Sequence, residues 1–78
     1  MYGFPDKARV DAVKKEFPAG TRVKCVHIND PWSPIYPGEE GVVEHVDDVG
    51  TIHIRWDNGR RFGAALGEDK VAVINGKE

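Results

Sequence analysis

Apolar positions along the chain follow a helical spacing first and a strand spacing afterwards. Val10, Val13 and Phe17 stand at i, i+3 and i+7, so residues 5–17 predict a helix with one narrow apolar face. Pro5 suits a first helical turn, where its missing N–H has no partner to lose. Asp6 is favoured near the positive N-terminal end of the helix dipole, and Lys14 and Lys15 near the negative end. Pro18 and Gly20 stop the helix. A helix this short is marginal by itself, so its apolar face is expected to dock, either on the rest of the domain, the leading reading, or on a partner as a binding stripe.

From residue 21 the period becomes two. Residues 21–28 put Val23 and Cys25 on one face and Arg22 and Lys24 on the other, the pattern of a half-buried strand. Residues 29–40, NDPWSPIYPGEE, predict a long irregular loop with polyproline character around Pro31, Pro34 and Pro37. A second strand is expected over 41–46, a turn over 47–50 and a third strand over 51–56, with Ile52, Ile54 and Trp56 facing one way. A fourth strand follows over 60–66, then a short turn at 67–69, a last strand over 71–74 and a frayed tail over 75–78.

Asp57-Asn58-Gly59 is a strong hairpin signal, and two registers compete for it. A two-residue loop would put Phe62 opposite Arg55, on the polar face. A loop with Gly59 as a left-handed bulge pairs Trp56 with Arg60, Ile54 with Phe62 and Ile52 with Ala64. The hydrophobic match selects the bulged turn, because a one-residue slip moves every side chain to the other face. That register sets Arg55 directly opposite Arg61, a like-charge pair that costs on the order of 0.2–1 kcal/mol unless acids, solvent or a bound anion relieve it. In the second strand Val43 has inward parity and Val46 the opposite one, so a bulge near His45 is expected to let both point inward. One register sets His45 opposite His53, and the bulge is expected to break that pairing.

Length and charge narrow the reading. The 78 residues fit one small domain, 1–78, with a helix at 5–17 and a β-structure at 19–74. A net charge of −2 argues against phosphate binding as the global design. One cysteine forbids an intramolecular disulfide framework and a cysteine-rich zinc site. The apolar runs are too short to span a membrane, and the opening Met-Tyr-Gly is not expected to be a secretory signal, so a cytoplasmic location is expected. Five short strands, a long first loop, tight later turns and a 3₁₀-like turn before the last strand predict a mainly β fold, a small five-stranded SH3-like barrel preceded by one N-terminal helix. Closing the sheet would remove exposed edges.

PAGTRVKCV (18–26), DPWSPIYPGEEGVV (30–43), VDDVGTIHIRWDNG (46–59) and GEDKVAVI (67–74) resemble domain-of-unknown-function family 4314, found in small bacterial, phage and mobile-element proteins. The stretch from Asp47 to Gly59 is the most specific part. Cys25 and His45 depart from the family pattern, as does the Arg60-Arg61 pair. The resemblance implies an SH3-like fold and a phage, mobile-element or bacterial origin. It implies no activity.

Candidate chemistry is sparse. Cys25 has inward parity, where a free cysteine is a small hydrophobe and not an exposed nucleophile. No histidine pair among His27, His45 and His53 has the spacing of a zinc motif, so no metal is expected. The acid pairs Glu39-Glu40, Asp47-Asp48 and Glu68-Asp69 neighbour glycines and suit solvated turns better than a catalytic dyad. No phosphate-cradling glycine loop is present, and neither an enzymatic activity nor a cofactor is expected. Trp32 and Tyr36, with Pro34 and Pro37 beside them, form a candidate protein-binding loop, since exposed Trp and Tyr make good binding anchors. The competing reading folds both rings back over the barrel's open edge. Arg55, Arg60, Arg61 and His53 form a candidate anion- or nucleic-acid-binding patch. The leading expectation is a non-enzymatic interaction module, monomeric by default, that binds a protein partner through the aromatic loop. The alternative is a nucleic-acid-binding barrel that uses the arginine patch.

Overall fold

Asp6 caps the first helix from outside it: its backbone is extended, and its carboxylate accepts the Ala8 N–H at 3.3 Å. The helix, α1, runs Lys7–Glu16 and ends at Phe17, whose N–H still donates to the Val13 carbonyl at 2.9 Å. Asp6 is therefore the cap and not a first-turn residue. The computed structural model describes residues 6–33 and 35–74. The expectations for Pro5, for Pro34 and for the 75–78 tail lie outside the described residues.

The helix docks on its own domain. Val10 and Phe17 are buried, Phe17 belongs to the main core, and Val13 packs against that core. Lys14 Nζ also meets Asp48 Oδ1 at 2.9 Å, an exposed pair that orients more than it stabilises.

Five antiparallel strands follow: β1 (Arg22–His27), β2 (Glu40–Val46), β3 (Ile52–Trp56), β4 (Arg61–Ala64) and β5 (Lys70–Val73). They form one sheet in the order β4-β3-β2-β1-β5, so the last strand returns to pair with the first. The inner face carries Val23, Cys25, Val43, Ile52, Ile54, Trp56 and Ala64, the residues that alternation and register select, and Val71 of β5 joins them. Trp56 is 1% exposed, and its indole N–H donates to the Phe62 carbonyl at 3.1 Å.

The sheet does not close, which corrects the closed-barrel expectation: β4 and β5 are its two edges. Between them the chain turns over Ala65–Asp69, and the Asp69 carboxylate takes the Ala65 N–H at 2.8 Å. An apolar groove of about 260 Å³ lies along this seam, lined by Ile52, Ala64, Leu66 and Val71 and by Val13 and Phe17 of α1. The helix thus lines the gap that a fifth strand pairing, β4 with β5, would have filled, and the fold is barrel-like and not a closed barrel.

The β3–β4 hairpin adopts the bulged register. Ile54 faces Phe62, Ile52 faces Ala64 and Arg55 faces Arg61. Gly59 has φ +90, the Trp56 N–H donates to the Arg60 carbonyl at 2.8 Å, and the Gly59 N–H donates to the Trp56 carbonyl at 2.9 Å. In β2 the register slips between Val43 and His45, leaving Glu44 as the extra residue, so that Val43 is buried and Val46 also packs on the core. The bulge was expected to separate His45 from His53, and it does the reverse. Without it Glu44 would face His53; with it His45 does.

Candidate functional site

The segment between β1 and β2 is held by short local bonds. The Trp32 N–H donates to Asp30 Oδ1 at 2.9 Å, and the Ser33 N–H donates to the Asp30 carbonyl at 3.0 Å, a turn with Pro31 in second position. A second turn runs Tyr36-Pro37-Gly38-Glu39, closed by the Glu39 N–H on the Tyr36 carbonyl at 3.1 Å, with Gly38 at φ +96. Proline second and a left-handed glycine third are what a type II turn demands. Pro31 and Pro37 therefore open two turns, which replaces the expected polyproline run.

Four further contacts tie this loop to the sheet and its turns. The Gly38 N–H donates to the Cys25 carbonyl at 2.8 Å, and the Cys25 N–H donates to the Glu39 carbonyl at 2.7 Å. The Asn29 N–H donates to Asp69 Oδ1 at 2.6 Å, so one carboxylate serves both the loop and the β4–β5 turn. Glu39 accepts the Tyr36 N–H through Oε2 at 2.8 Å and the Asn58 side-chain amide through Oε1 at 3.0 Å, reaching the β3–β4 turn.

The apolar fastening of the loop is Ile35, 3% exposed and part of the core. With Ile35 inside, both rings stay outside: Trp32 is 89% exposed and Tyr36 is 69% exposed. Pro37 is exposed beside them. The fold-back reading of the two aromatics is thereby overturned. Ile35, and neither ring, is the loop residue that enters the core. Sequence reasoning missed Ile35, Asp30, Glu39 and Asp69, although Asp-Pro and Pro-Gly turn dipeptides signalled the two turns.

The arginine patch is less coherent than expected. Arg22, Val42, Arg55 and Arg61 form one row across four strands on the outer face. Arg60 has the opposite parity, next to Arg61. Acids answer the row: Arg22 binds Glu40 at 3.1 Å and Asp57 at 2.7 Å, and Arg61 meets Glu44 at 3.3 Å. The Arg22 hydrogen bond, with the charges of Arg22 and Arg55 behind it, holds the Asp57 carboxyl below the usual range. Glu44 on Arg61 and Asp57 near Arg55 therefore offset part of the Arg55–Arg61 repulsion.

His53, the fourth member of that patch, lines one shallow pocket with Glu44 and Arg61, and it also joins a second cluster. Its Nε2 lies 2.9 Å from Asp47 Oδ2, and its ring stacks on His45 with centroids 4.3 Å apart and planes 10° apart. Asp47 Oδ1 also accepts the N–H groups of Val49 and Thr51, which shapes the β2–β3 turn. The His53 contact first, then the Thr51 and Val49 hydrogen bonds, hold the Asp47 carboxyl below its ordinary value against the opposing effect of desolvation. Among the described residues no three His, Cys, Asp or Glu side chains gather as a metal site. Cys25 is buried, and desolvation first, with the charges of Glu39 and Asp69 added, pushes its thiol up. A thiol in that environment stays protonated and is a poor nucleophile. No helix among the described residues is long and apolar enough to cross a membrane.

A search of curated proteins finds no match to the chain. A family model described as a domain of unknown function, DUF4314, matches residues 6–74, which takes in the helix, all five strands and the aromatic loop. The chain belongs to the DUF4314 family.

Proposed function

We propose that this domain is a non-enzymatic interaction module that binds a protein partner through Trp32 and Tyr36, with Pro34 and Pro37 in the same loop. The observation that carries the reading is the exposure of both rings on a backbone held by Asp30, Glu39 and Ile35. A small domain gains about 1.5–3 kcal/mol by burying a large apolar side chain, so two uncovered rings are not explained by folding. Rings on an already ordered loop bind without paying the full ordering entropy. In this reading the module works in the cytoplasm of a bacterium carrying a phage or mobile element, an origin that rests on the family resemblance.

The nucleic-acid alternative is less well supported. Arg22 and Arg61 already meet carboxylates, and Arg60 is out of phase with the row. Affinity capture from bacterial lysate with the wild-type domain, Trp32→Ala and Arg61→Ala tests the choice. Proteins captured by wild type and Arg61→Ala, and lost with Trp32→Ala, are expected. Capture that survives Trp32→Ala and fails with Arg61→Ala would overturn the reading.

A further inference from the structure

Residues 25–54 contain no Lys or Arg, yet they carry Asp30, Glu39, Glu40, Glu44, Asp47 and Asp48. Cations from elsewhere answer part of this charge: Arg22 reaches Glu40, Arg61 reaches Glu44 and Lys14 reaches Asp48. Asp47 has His53. Among the described residues, Asp30 and Glu39 take part in no ion pair. Each instead accepts the backbone N–H of one exposed aromatic residue, Asp30 that of Trp32 and Glu39 that of Tyr36. Asp69, also without an ion pair among the described residues, binds the Asn29 N–H at the start of the same loop. These hydrogen bonds to amides leave the carboxylates negatively charged.

The loop therefore sets two uncovered rings beside carboxylates that lack a cation. A ring face attracts a guanidinium or ammonium within about 6 Å, and a carboxylate adds charge-assisted hydrogen bonds. Phosphate would be repelled from the same surface. We infer that the occupant of the Trp32–Tyr36 loop is a basic peptide segment of the partner, with Arg or Lys side chains lying over the rings and facing Asp30 and Glu39. This rests on the reading that the loop binds protein, and it names the chemistry of what binds.

The test is a selection of random short peptides, displayed on phage, against the folded wild-type domain and against Trp32→Ala. The enriched peptide is then titrated into Asp30→Asn, which keeps an oxygen for the Trp32 N–H and removes the charge. Enrichment of Arg and Lys that disappears with Trp32→Ala is expected. Asp30→Asn should weaken the peptide by about two- to five-fold at low salt, with the melting temperature unchanged. Trp32-dependent enrichment of neutral or acidic peptides would overturn the inference and leave the loop as a protein-binding surface. A basic peptide indifferent to Asp30→Asn would also overturn it. No Trp32-dependent enrichment would overturn both the inference and the proposed function.

Discussion

His45 and His53 stack face to face across β2 and β3, and the bulge at Glu44 is what brings them together. The same one-residue slip lets Val43 and Val46 both reach the core. Core packing on the inner face thus sets a polar cluster on the outer one, and Asp47 fixes it by holding His53.

The Asp47 contact has a pH signature. Its carboxyl is held below the ordinary value of 3.8, so it contributes stability that is present above that value. That stability is lost as pH falls through the lower native value. Replacing His53 removes the largest cause and leaves the Val49 and Thr51 N–H groups in place. In His53→Ala the Asp47 midpoint, followed by carboxyl carbon NMR, should move up toward 3.8 and stop short of it. The stability deficit of the variant relative to wild type should shrink as pH falls below the ordinary carboxyl value of 3.8. An unmoved midpoint would refute the contact.

Ile35 and Trp32 lie three residues apart and should behave oppositely. Ile35 is in the core, so Ile35→Ala should cost about 2–5 kcal/mol in denaturant unfolding. Trp32 is uncovered, so Trp32→Ala should change stability by no more than about 0.5 kcal/mol. Equal losses at the two positions would mean that the ring is not free.

Gly41 is packed on the neighbouring strand. A Cβ there would stand 2.8 Å from the Arg55 carbonyl oxygen and 2.9 Å from Trp56 Cα. Backbone cannot step aside as a side chain can, so Gly41→Ala should destabilise the domain by about 1–3 kcal/mol. At Gly59 a Cβ meets nothing within 4 Å, and only the left-handed backbone opposes substitution. Thermal unfolding of the two alanine variants separates packing from backbone strain.

Arg55 faces Arg61 across the hairpin. Removing one charge with Arg55→Thr should leave the domain as stable or stabilise it by about 0.2–1 kcal/mol, an effect that fades with added salt. A clear loss in equilibrium unfolding would mean that Arg55 holds a partner more strongly than it opposes Arg61.

Much of the β-structure was legible in the chain because alternation and turn chemistry agreed. Ile54 could meet Phe62 only in the bulged register, and the structure has that register. The bulge in β2 was legible from the opposed parities of Val43 and Val46, but its consequence for His45 was not, because the direction of the slip depends on which residue is extra. Sheet closure was not legible either. It turns on whether β4 and β5 meet past the Ala65–Asp69 turn, and Asp69, which closes that turn locally on Ala65, is also tied to Asn29 forty residues away, a contact no local pattern shows. In the loop, three apolar candidates stood close together, and local pattern could not say that Ile35 and not Trp32 or Tyr36 would be buried. The arginine cluster looked coherent in sequence because the counter-charge of Arg61, Glu44, comes from another strand.

The most direct test of the loop as the binding surface is fluorine NMR of the domain labelled with fluorotryptophan, free and saturated with a captured partner. Trp32 and Trp56 give the two signals, assigned with Trp32→Phe. The Trp32 signal, solvent-exposed in the free domain, should shift and lose its sensitivity to solvent isotope in the complex, while the buried Trp56 signal changes little. A complex in which the Trp32 signal keeps its free position and its exposure would contradict the account.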